Sequence, residues 1–424
     1  MGVLNSLLGM VVLIAIAVLL SSNRKAINIR TVAGAFLIQV ALGALVLYVP
    51  WGREGLLTVS EGVSKVIAYG NDGVGFLFGG LVSDKMFEVF GGGGFVFALR
   101  VLPMIVFFSA LVAVLYYVGI MQVVIKIIGG FLQKVLGTSR AESMSAAANI
   151  FVGQTEAPLV VRPFIKTMTR SELFAVMCGG LASVAGSVLG GYAQMGVPLP
   201  YLIAASFMAA PGGLLFAKLL IPETEKVRTD EEIADDSEEK PVNVIDAAAG
   251  GAVTGAQIAM AVGASLLAFV ALISLINGMI GGVGSWFGYE GLTLQAILGW
   301  LFAPLAWVVG VPWHEAGVAG SLIGQKVVVN EFVAYSEFVK YLSPESTVQL
   351  SETTKAIISF ALCGFANLGS IAVLVGGLSI MAPNRRKDVA QLGLKAVIAG
   401  SLSNLMSAVI AGLFIGLSGV AVLG

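Results

Sequence analysis

Charged residues are scarce in this sequence, and their scarcity excludes whole classes of protein. Only 12% of the 424 residues are Asp, Glu, Lys or Arg, whereas 57% are hydrophobic. A soluble domain needs more charge on its surface, so a soluble globular protein is excluded. The 24 basic and 25 acidic residues nearly cancel. Because nucleic-acid binding proteins carry a basic excess, we expect no nucleic-acid partner.

Cysteine and histidine are scarcer still. Cys178 and Cys363 both lie in apolar runs, which predicts buried thiols and no disulfide framework. His314 is the only histidine. Together with Glu315 it begins like the zinc-protease pattern HExxH, but Val318 stands where the second histidine would be, so that zinc site cannot form. We interpret His314 and Glu315 as a polar cap. With no nucleophile–base pair in view, we expect no enzyme.

Long apolar runs, in contrast, recur along the whole chain and are typical of a polytopic α-helical membrane protein. Arg24 and Lys25 follow the first run and no basic residue precedes it, which predicts a retained span with its N-terminus outside. Following the chain from there places the C-terminus outside as well. The eight predicted transmembrane helices lie near residues 3–20, 31–50, 95–119, 172–195, 199–221, 252–280, 355–381 and 389–422.

One apolar stretch does not fit a simple span. NIFVGQTEAPLVV, residues 149–161, carries Gln154, Thr155 and Glu156 in its middle. Polar side chains at membrane depth are tolerated only where protein or a watery cavity surrounds them. We therefore predict that these three side chains line such a cavity.

The charges around this stretch predict its path. Basic residues lie on both sides of the apolar segment 143–161, and basic residues favour the cytoplasmic face. We therefore predict a re-entrant helical hairpin that enters and leaves from inside, with its tip near residues 152–156. Pro158 suits the first turn of its second arm, with Thr155 or Glu156 as the capping residue.

A second hairpin is predicted in the other half of the chain. If residues 291–310 lie along the outer surface, a hairpin at 315–342 entered from outside brings the later basic residues 385–387 to the inside. Asn330 and Glu331 interrupt its apolar sequence as Glu156 interrupts the first hairpin. Polar groups on two opposed hairpins predict a shared polar solute or cation.

The two halves follow the same order with opposite orientation: span, surface helix, hairpin, broken span, span. CGGLASVAGS at 178–187 is echoed by CGFANLGS at 363–370, and small or polar interruptions in equivalent helices are typical of a transporter site. The predicted domains are an N-terminal scaffold with an interfacial helix, a first repeat, an acidic cytoplasmic linker and a second, inverted repeat, at residues 1–94, 95–221, 222–248 and 249–424.

Three motifs carry a resemblance to a known family. GQTEAPLVVRPF at 153–164, NEFVAY at 330–335 and CGFANLGSI at 363–371 closely resemble the concentrative nucleoside transporters, in their short bacterial form with eight spans. The resemblance implies a homotrimer in the bacterial cytoplasmic membrane. It also implies uptake of nucleosides such as uridine, driven by a cation gradient.

The resemblance also implies roles for particular residues. Those expected to bind the nucleoside are Gln154, Thr155 and Glu156 at the base, Glu331, Asn367 and Ser370 at the ribose, and Val188, Ile258 and Phe365 in an apolar wall. Those expected to bind sodium are the side chains of Asn149 and Ser183 and the backbone carbonyls of Val152 and Val184.

Other functions stay open at this point. Glu156 and Glu331 could couple transport to protons instead of sodium if burial raised their pKa values. A two-hairpin transporter of another small polar solute is a further alternative, although no buried arginine is in view to hold a carboxylate substrate. A channel or membrane scaffold would not need polar residues on both hairpins.

Overall fold

The structure, a computed structural model, describes residues 2–227, 241–289, 291–343 and 346–419. Within these ranges the chain forms α-helices joined by loops and short 3₁₀ turns, and it contains no β-strand. The predicted all-α class is therefore confirmed. Residues 228–240, which make up much of the predicted acidic linker, lie outside the described residues.

The N-terminal part contains the long helices that were predicted as spans and as an interfacial segment. The Asn28 side chain accepts hydrogen bonds from the N–H groups of Arg30 and Thr31, and this cap begins the second helix. The glycine run Gly91–Gly94 forms a 3₁₀ turn. The helices are α1 (Gly2–Leu19), α2 (Ile29–Leu47), α3 (Pro50–Phe78), α4 (Lys85–Phe90), α5 (Phe97–Arg100) and α6 (Leu102–Tyr117).

The next helices enclose the predicted first hairpin. They are α7 (Ile120–Leu136), α8 (Arg140–Ala148), α9 (Arg162–Ile165), α10 (Arg170–Ala182), α11 (Gly186–Gln194) and α12 (Leu199–Leu220), with a 3₁₀ turn at Ala157–Val161. Reciprocal capping boxes begin two of them: Ser139 with Glu142 at α8, and Thr169 with Glu172 at α10. Both caps are readable in the sequence as S/T-x-x-E.

The second half repeats this order of long and short helices. It contains α13 (Val244–Trp286), α14 (Leu294–Val308), α15 (Trp313–Val328), α16 (Glu331–Phe338), α17 (Glu352–Leu362), α18 (Gly369–Met381) and α19 (Arg386–Ser418). Side-chain oxygens of Asn330 and Ser351 accept from backbone N–H groups and so cap α16 and α17. The predicted span 355–381 is thus two helices separated by residues 363–368.

Six helical stretches among the described residues are long and apolar enough to cross a membrane. A bent pair, α14 with α15, meets the same test across an angle of 115°. The predicted count of eight spans and the two re-entrant hairpins stay predictions. The six stretches are Ile29–Leu47, Phe97–Tyr117, Arg170–Gln194, Leu199–Leu220, Val244–Trp286 and Pro383–Ser418.

Burial separates a central group of helices from an outer one. In both Arg170–Gln194 and Leu199–Leu220, 94% of the most apolar window is buried, against 11% in Val244–Trp286. Helices α10, α12, α17 and α19 pack on one another and form the core. Most apolar side chains of α13 are exposed, while its middle packs toward the interior.

Two residues that were predicted to cap helices have other partners in the structure. Glu156 precedes the 3₁₀ turn at 157–161, but its carboxylate accepts from the N–H of Gly153 and does not cap that turn. Glu315 is buried and accepts from both the N–H and the hydroxyl of Ser351, at 3.1 and 2.9 Å. It therefore joins α15 to the start of α17, a contact that sequence spacing does not reveal, while His314 is largely exposed.

Candidate functional site

A cavity of about 440 Å³ lies where five segments meet. These are the loop after α8, the break between α10 and α11, the middle of α13, the start of α16 and the break between α17 and α18. Its volume falls within the range of pockets that bind small molecules. Hence both predicted hairpin regions and both helix breaks contribute to one site.

All nine residues that the resemblance assigned to substrate binding line this cavity. Most are buried, and Thr155 is the exposed member. The nine are Gln154, Thr155, Glu156, Val188, Ile258, Glu331, Phe365, Asn367 and Ser370. The structure brings them together although they are spread over more than 200 residues of sequence.

One cluster of polar side chains in the cavity belongs to the loop after α8. The Gln154 amide donates to the Ser370 hydroxyl at 3.4 Å, while its own oxygen has no partner among the described residues. Nearby, a Glu156 oxygen accepts from the N–H of Gly153 at 3.0 Å, which fixes the carboxylate against its own loop. An unpaired, buried amide oxygen costs free energy, so Gln154 is suited to accept from a ligand.

The other cluster of polar side chains surrounds the carboxylate of Glu331, a residue that is 4% exposed. The Tyr192 hydroxyl donates to one of its oxygens at 3.1 Å, and the Asn367 amide donates to the other at 3.1 Å. The Asn367 oxygen in turn accepts from the N–H of Ser370 at 2.9 Å. Each carboxylate oxygen has a further lone pair, so Glu331 is held in place and can still accept from hydroxyl groups.

Local sequence explains why these side chains point into the cavity. Asn330 caps α16, which places Glu331 in the first helical turn. Gly180 of α10 admits the backbone of Gln154, because a Cβ atom at position 180 would lie 2.9 Å from the Gln154 Cβ. Only glycine allows that approach without displacement.

Apolar side chains form another part of the cavity wall. Val188 is buried and Ile258 and Phe365 are half-buried, and Phe332 and Phe269 line the same cavity. A Cβ atom at Gly153 would lie 3.8 Å from the Phe365 ring, so this ring stands next to the loop that carries Gln154. A flat heterocycle fits such a wall.

The four residues assigned to sodium lie beside the cavity. Asn149 and Ser183 are each 1% exposed, and both contact Gly179: the Ser183 hydroxyl donates to its carbonyl, and the Asn149 amide nitrogen lies 2.8 Å from where its Cβ would be. The Asn149 oxygen has no partner among the described residues. No hydrogen bond to the carbonyls of Val152 or Val184 is found there either. These neutral, unpaired oxygens suit a sodium ion.

Several residues of the site were not predicted from the sequence. Tyr192 holds Glu331, and Ser187 and Asn330 line the cavity. Asn330 was noted only as a polar interruption. The signal for Tyr192 is weak because a tyrosine in an apolar run is common, and its partner stands 139 residues further along the chain.

Similarity to known proteins identifies the family of this chain. Models described as the Na+ dependent nucleoside transporter N-terminus and C-terminus match residues 8–81 and 201–412, and a nucleoside recognition model matches residues 98–199. The nucleoside permease NupC of Helicobacter pylori is 58% identical over 98% of each chain. The chain belongs to the concentrative nucleoside transporter family. The predicted family is thereby confirmed, and the family is one of transporters and not of enzymes.

Other members extend the comparison. The putative nucleoside permease NupX of Escherichia coli is 54% identical, over 99% of this chain and 100% of its own length. The human sodium/nucleoside cotransporter 1 is 38% identical over 97% of this chain and 63% of its own. A structure of the transporter CNTnw, described as inward-facing and substrate-bound, has a TM-score of 0.96 at 82% identity over 99% of both chains. A multi-pass membrane protein with this family's fold is thus established.

Proposed function

We propose that this protein is a sodium-coupled nucleoside symporter that imports nucleosides by alternating access. The observation that carries the proposal is the single cavity lined by all nine family positions, with the Glu331 carboxylate held by two donors. Structures of CNTnw are described as inward-facing, outward-facing and intermediate, and this chain is 82–83% identical to them. We propose alternating access on the basis of that similarity.

The chemistry of the cavity matches the two halves of a nucleoside. A ribose offers hydroxyl donors, and a carboxylate such as Glu331 accepts them with charge-assisted strength. A nucleobase offers donors and acceptors along one edge, to which Gln154, Thr155 and Glu156 present both kinds of group. Phe365 and Val188 supply apolar contact for the face of the base. Uridine is the substrate we propose to test first.

The driving ion is proposed to be sodium. Asn149 and Ser183, with the carbonyls of Val152 and Val184, offer uncharged oxygens at the C-terminal ends of α8 and α10. Helix C-termini carry partial negative charge, and broken helices use it to hold sodium ions in other transporters. A bound ion would link the loop after α8 to the break after α10, and its loss would leave the Asn149 oxygen and both carbonyls without a partner among the described residues.

The family and the charge pattern support a proposal for the membrane arrangement. We propose eight spans and two opposed re-entrant hairpins in an inverted repeat, with both termini outside the bacterial cytoplasmic membrane. The proposed hairpins are residues 143–161, which contain the loop after α8, and residues 315–342, which contain α16 and most of α15. We also propose a homotrimer, in which the outward-facing apolar side chains of α13 have partners in lipid or in another copy.

Uptake of labelled uridine into proteoliposomes tests the function. Uptake should collapse when choline replaces sodium at fixed pH, and an imposed pH gradient at fixed sodium should change it little. Unlabelled adenosine should compete, and amino acids should not. Full uptake in choline, driven by the pH gradient, would move the coupling role to Glu156 and Glu331 and exclude the sodium site.

The sodium residues are tested by Asn149→Ala. The sodium concentration for half-maximal uptake should rise about tenfold, equivalent to roughly 1.4 kcal/mol of ion binding. Asn277→Ala is the matched control, because Asn277 joins α13 to Gln295 and Leu294 outside the cavity. An unchanged sodium requirement in the Asn149 variant would remove that residue from the ion site.

A further inference from the structure

The loops of the two proposed hairpins are joined to the helix breaks by equivalent hydrogen bonds. The Phe151 carbonyl accepts from the N–H of Gly186 at 2.9 Å, and the Val327 carbonyl accepts from the N–H of Leu368 at 3.1 Å. We call residues 149–152 with 183–186 the first joint, and residues 326–329 with 363–368 the second joint. Between the joints, the N–H of Phe365 donates to the Ser183 carbonyl at 3.1 Å.

Two helices end at each joint. Asn149 and Ser183 follow the last residues of α8 and α10 at the first joint. Val329 and Cys363 follow α15 and α17 at the second joint. Because helix C-termini carry partial negative charge, a nearby cation is electrostatically favourable at both joints.

The second joint contains a buried lysine. Lys326 lies one residue before Val327, and it is 1% exposed. Its ammonium group donates to the Asn404 oxygen at 2.7 Å. No carboxylate of a described residue forms an ion pair with it, although such pairing is usual for a fully buried lysine.

Asn404 connects this ammonium group to the ends of the broken helices. Its amide nitrogen donates to the carbonyl of Ala182, the last residue of α10, at 2.6 Å and to the carbonyl of Cys363 at 2.9 Å. The contact is tight, since a Cβ atom at Gly364 would lie 2.2 Å from the Asn404 oxygen. One asparagine therefore holds both breaks, and its oxygen faces the lysine charge.

We propose that Lys326 is a built-in cation of the second joint, and that its ammonium group takes the place that sodium has at the first. The comparison with sodium rests on the proposed function, whereas the position of the lysine does not. The second joint then needs no ion. Removal of the charge without filling the space should create a site for a monovalent cation.

The test compares purified Lys326→Gln with the wild-type protein and with Gln325→Met. Gln325 is the matched control, because it is equally buried on the same helix but carries no charge. The melting temperature of each protein is measured in choline, sodium, lithium and potassium, and bound radioactive sodium is counted at equilibrium.

We expect the wild-type protein and Gln325→Met to bind one sodium ion per protomer. Lys326→Gln should bind a second monovalent cation, and a saturating concentration should raise its melting temperature by about 5 °C more than that of the wild-type protein. Lys326→Arg, which keeps the charge, should not gain this response.

Opposite results would overturn the proposal. Two sodium ions bound per wild-type protomer would show that the lysine does not replace an ion. If none of the three cations stabilises the purified Lys326→Gln protein, the charge is not exchangeable for an ion. The same conclusion holds if this protein cannot be expressed in the presence of these cations. A wild-type protein whose melting temperature does not respond to sodium would contradict the proposed sodium coupling instead. The comparison of Lys326→Gln with the wild-type protein would still test the role of the lysine.

Discussion

Replacing Glu331 by glutamine tests the centre of the proposed site. The substitution keeps the shape of the side chain and its fit to both neighbours. The new amide oxygen can accept from Asn367, and the new amide nitrogen can donate to Tyr192, whose hydroxyl accepts as well as donates. Folding should therefore survive, and the main change is the loss of negative charge toward the ribose.

The magnitude follows from the hydrogen bonds that remain. A hydrogen bond to a charged group contributes about 1.5–3 kcal/mol, against about 0.5–1.5 for a neutral pair. A Glu331→Gln protein that loses one charge-assisted bond to a ribose hydroxyl should bind uridine about tenfold to a hundredfold more weakly. Its binding of an analogue without the contacted hydroxyl should change much less.

Calorimetric titration of the detergent-purified protein with uridine and with its 2′- and 3′-deoxy analogues measures this difference. Glu337→Gln is the matched control, since Glu337 lies on the same helix, pairs with Lys340 and does not line the cavity. Its affinity for uridine should equal that of the wild-type protein. Equal losses for uridine and for both deoxy analogues in Glu331→Gln would place this carboxylate away from the sugar and refute the assignment.

Three further predictions concern the supports of the site and its place in the membrane. Tyr192→Phe should weaken uridine binding about tenfold, and the loss should not add to that of Glu331→Gln, because both act through one carboxylate; full additivity in a double-mutant cycle would contradict this. Gly180→Ala should displace Gln154 and weaken uridine binding about threefold to tenfold, whereas Gly130→Ala, where a Cβ atom meets nothing within 4 Å, should leave binding unchanged; an unaffected Gly180 variant would show that Gln154 is not needed there. Single cysteines at Arg140 and Arg170 should react with an impermeant reagent from the cytoplasmic side only, and since Cys178 and Cys363 are buried no cysteine-free background is required; labelling from opposite sides would exclude the first hairpin.

The sequence alone was sufficient for the class of protein and for the family. The scarcity of charge and the recurrence of apolar runs follow directly from the bilayer as a solvent. The motif around Gln154 and Glu156 and the motif around Glu331 are short and contiguous, so they can be recognised without a structure. Helix starts with an S/T-x-x-E pattern, at Ser139 and Thr169, were also readable, because a capping box is a local interaction.

Only the tertiary structure decided which apolar helices are central and which polar groups meet. The most apolar window of Val244–Trp286 has a mean hydropathy of 2.5, against 1.6 for that of Leu199–Leu220, yet it is far less buried. Apolar composition does not separate helices that face lipid from helices that face protein, since lipid tails are as apolar as leucine. The partnership of Tyr192 with Glu331, and that of Lys326 with Asn404, joins residues 139 and 78 positions apart. Such contacts depend on how helices pack and not on any local pattern, so they become visible only when the chain is folded.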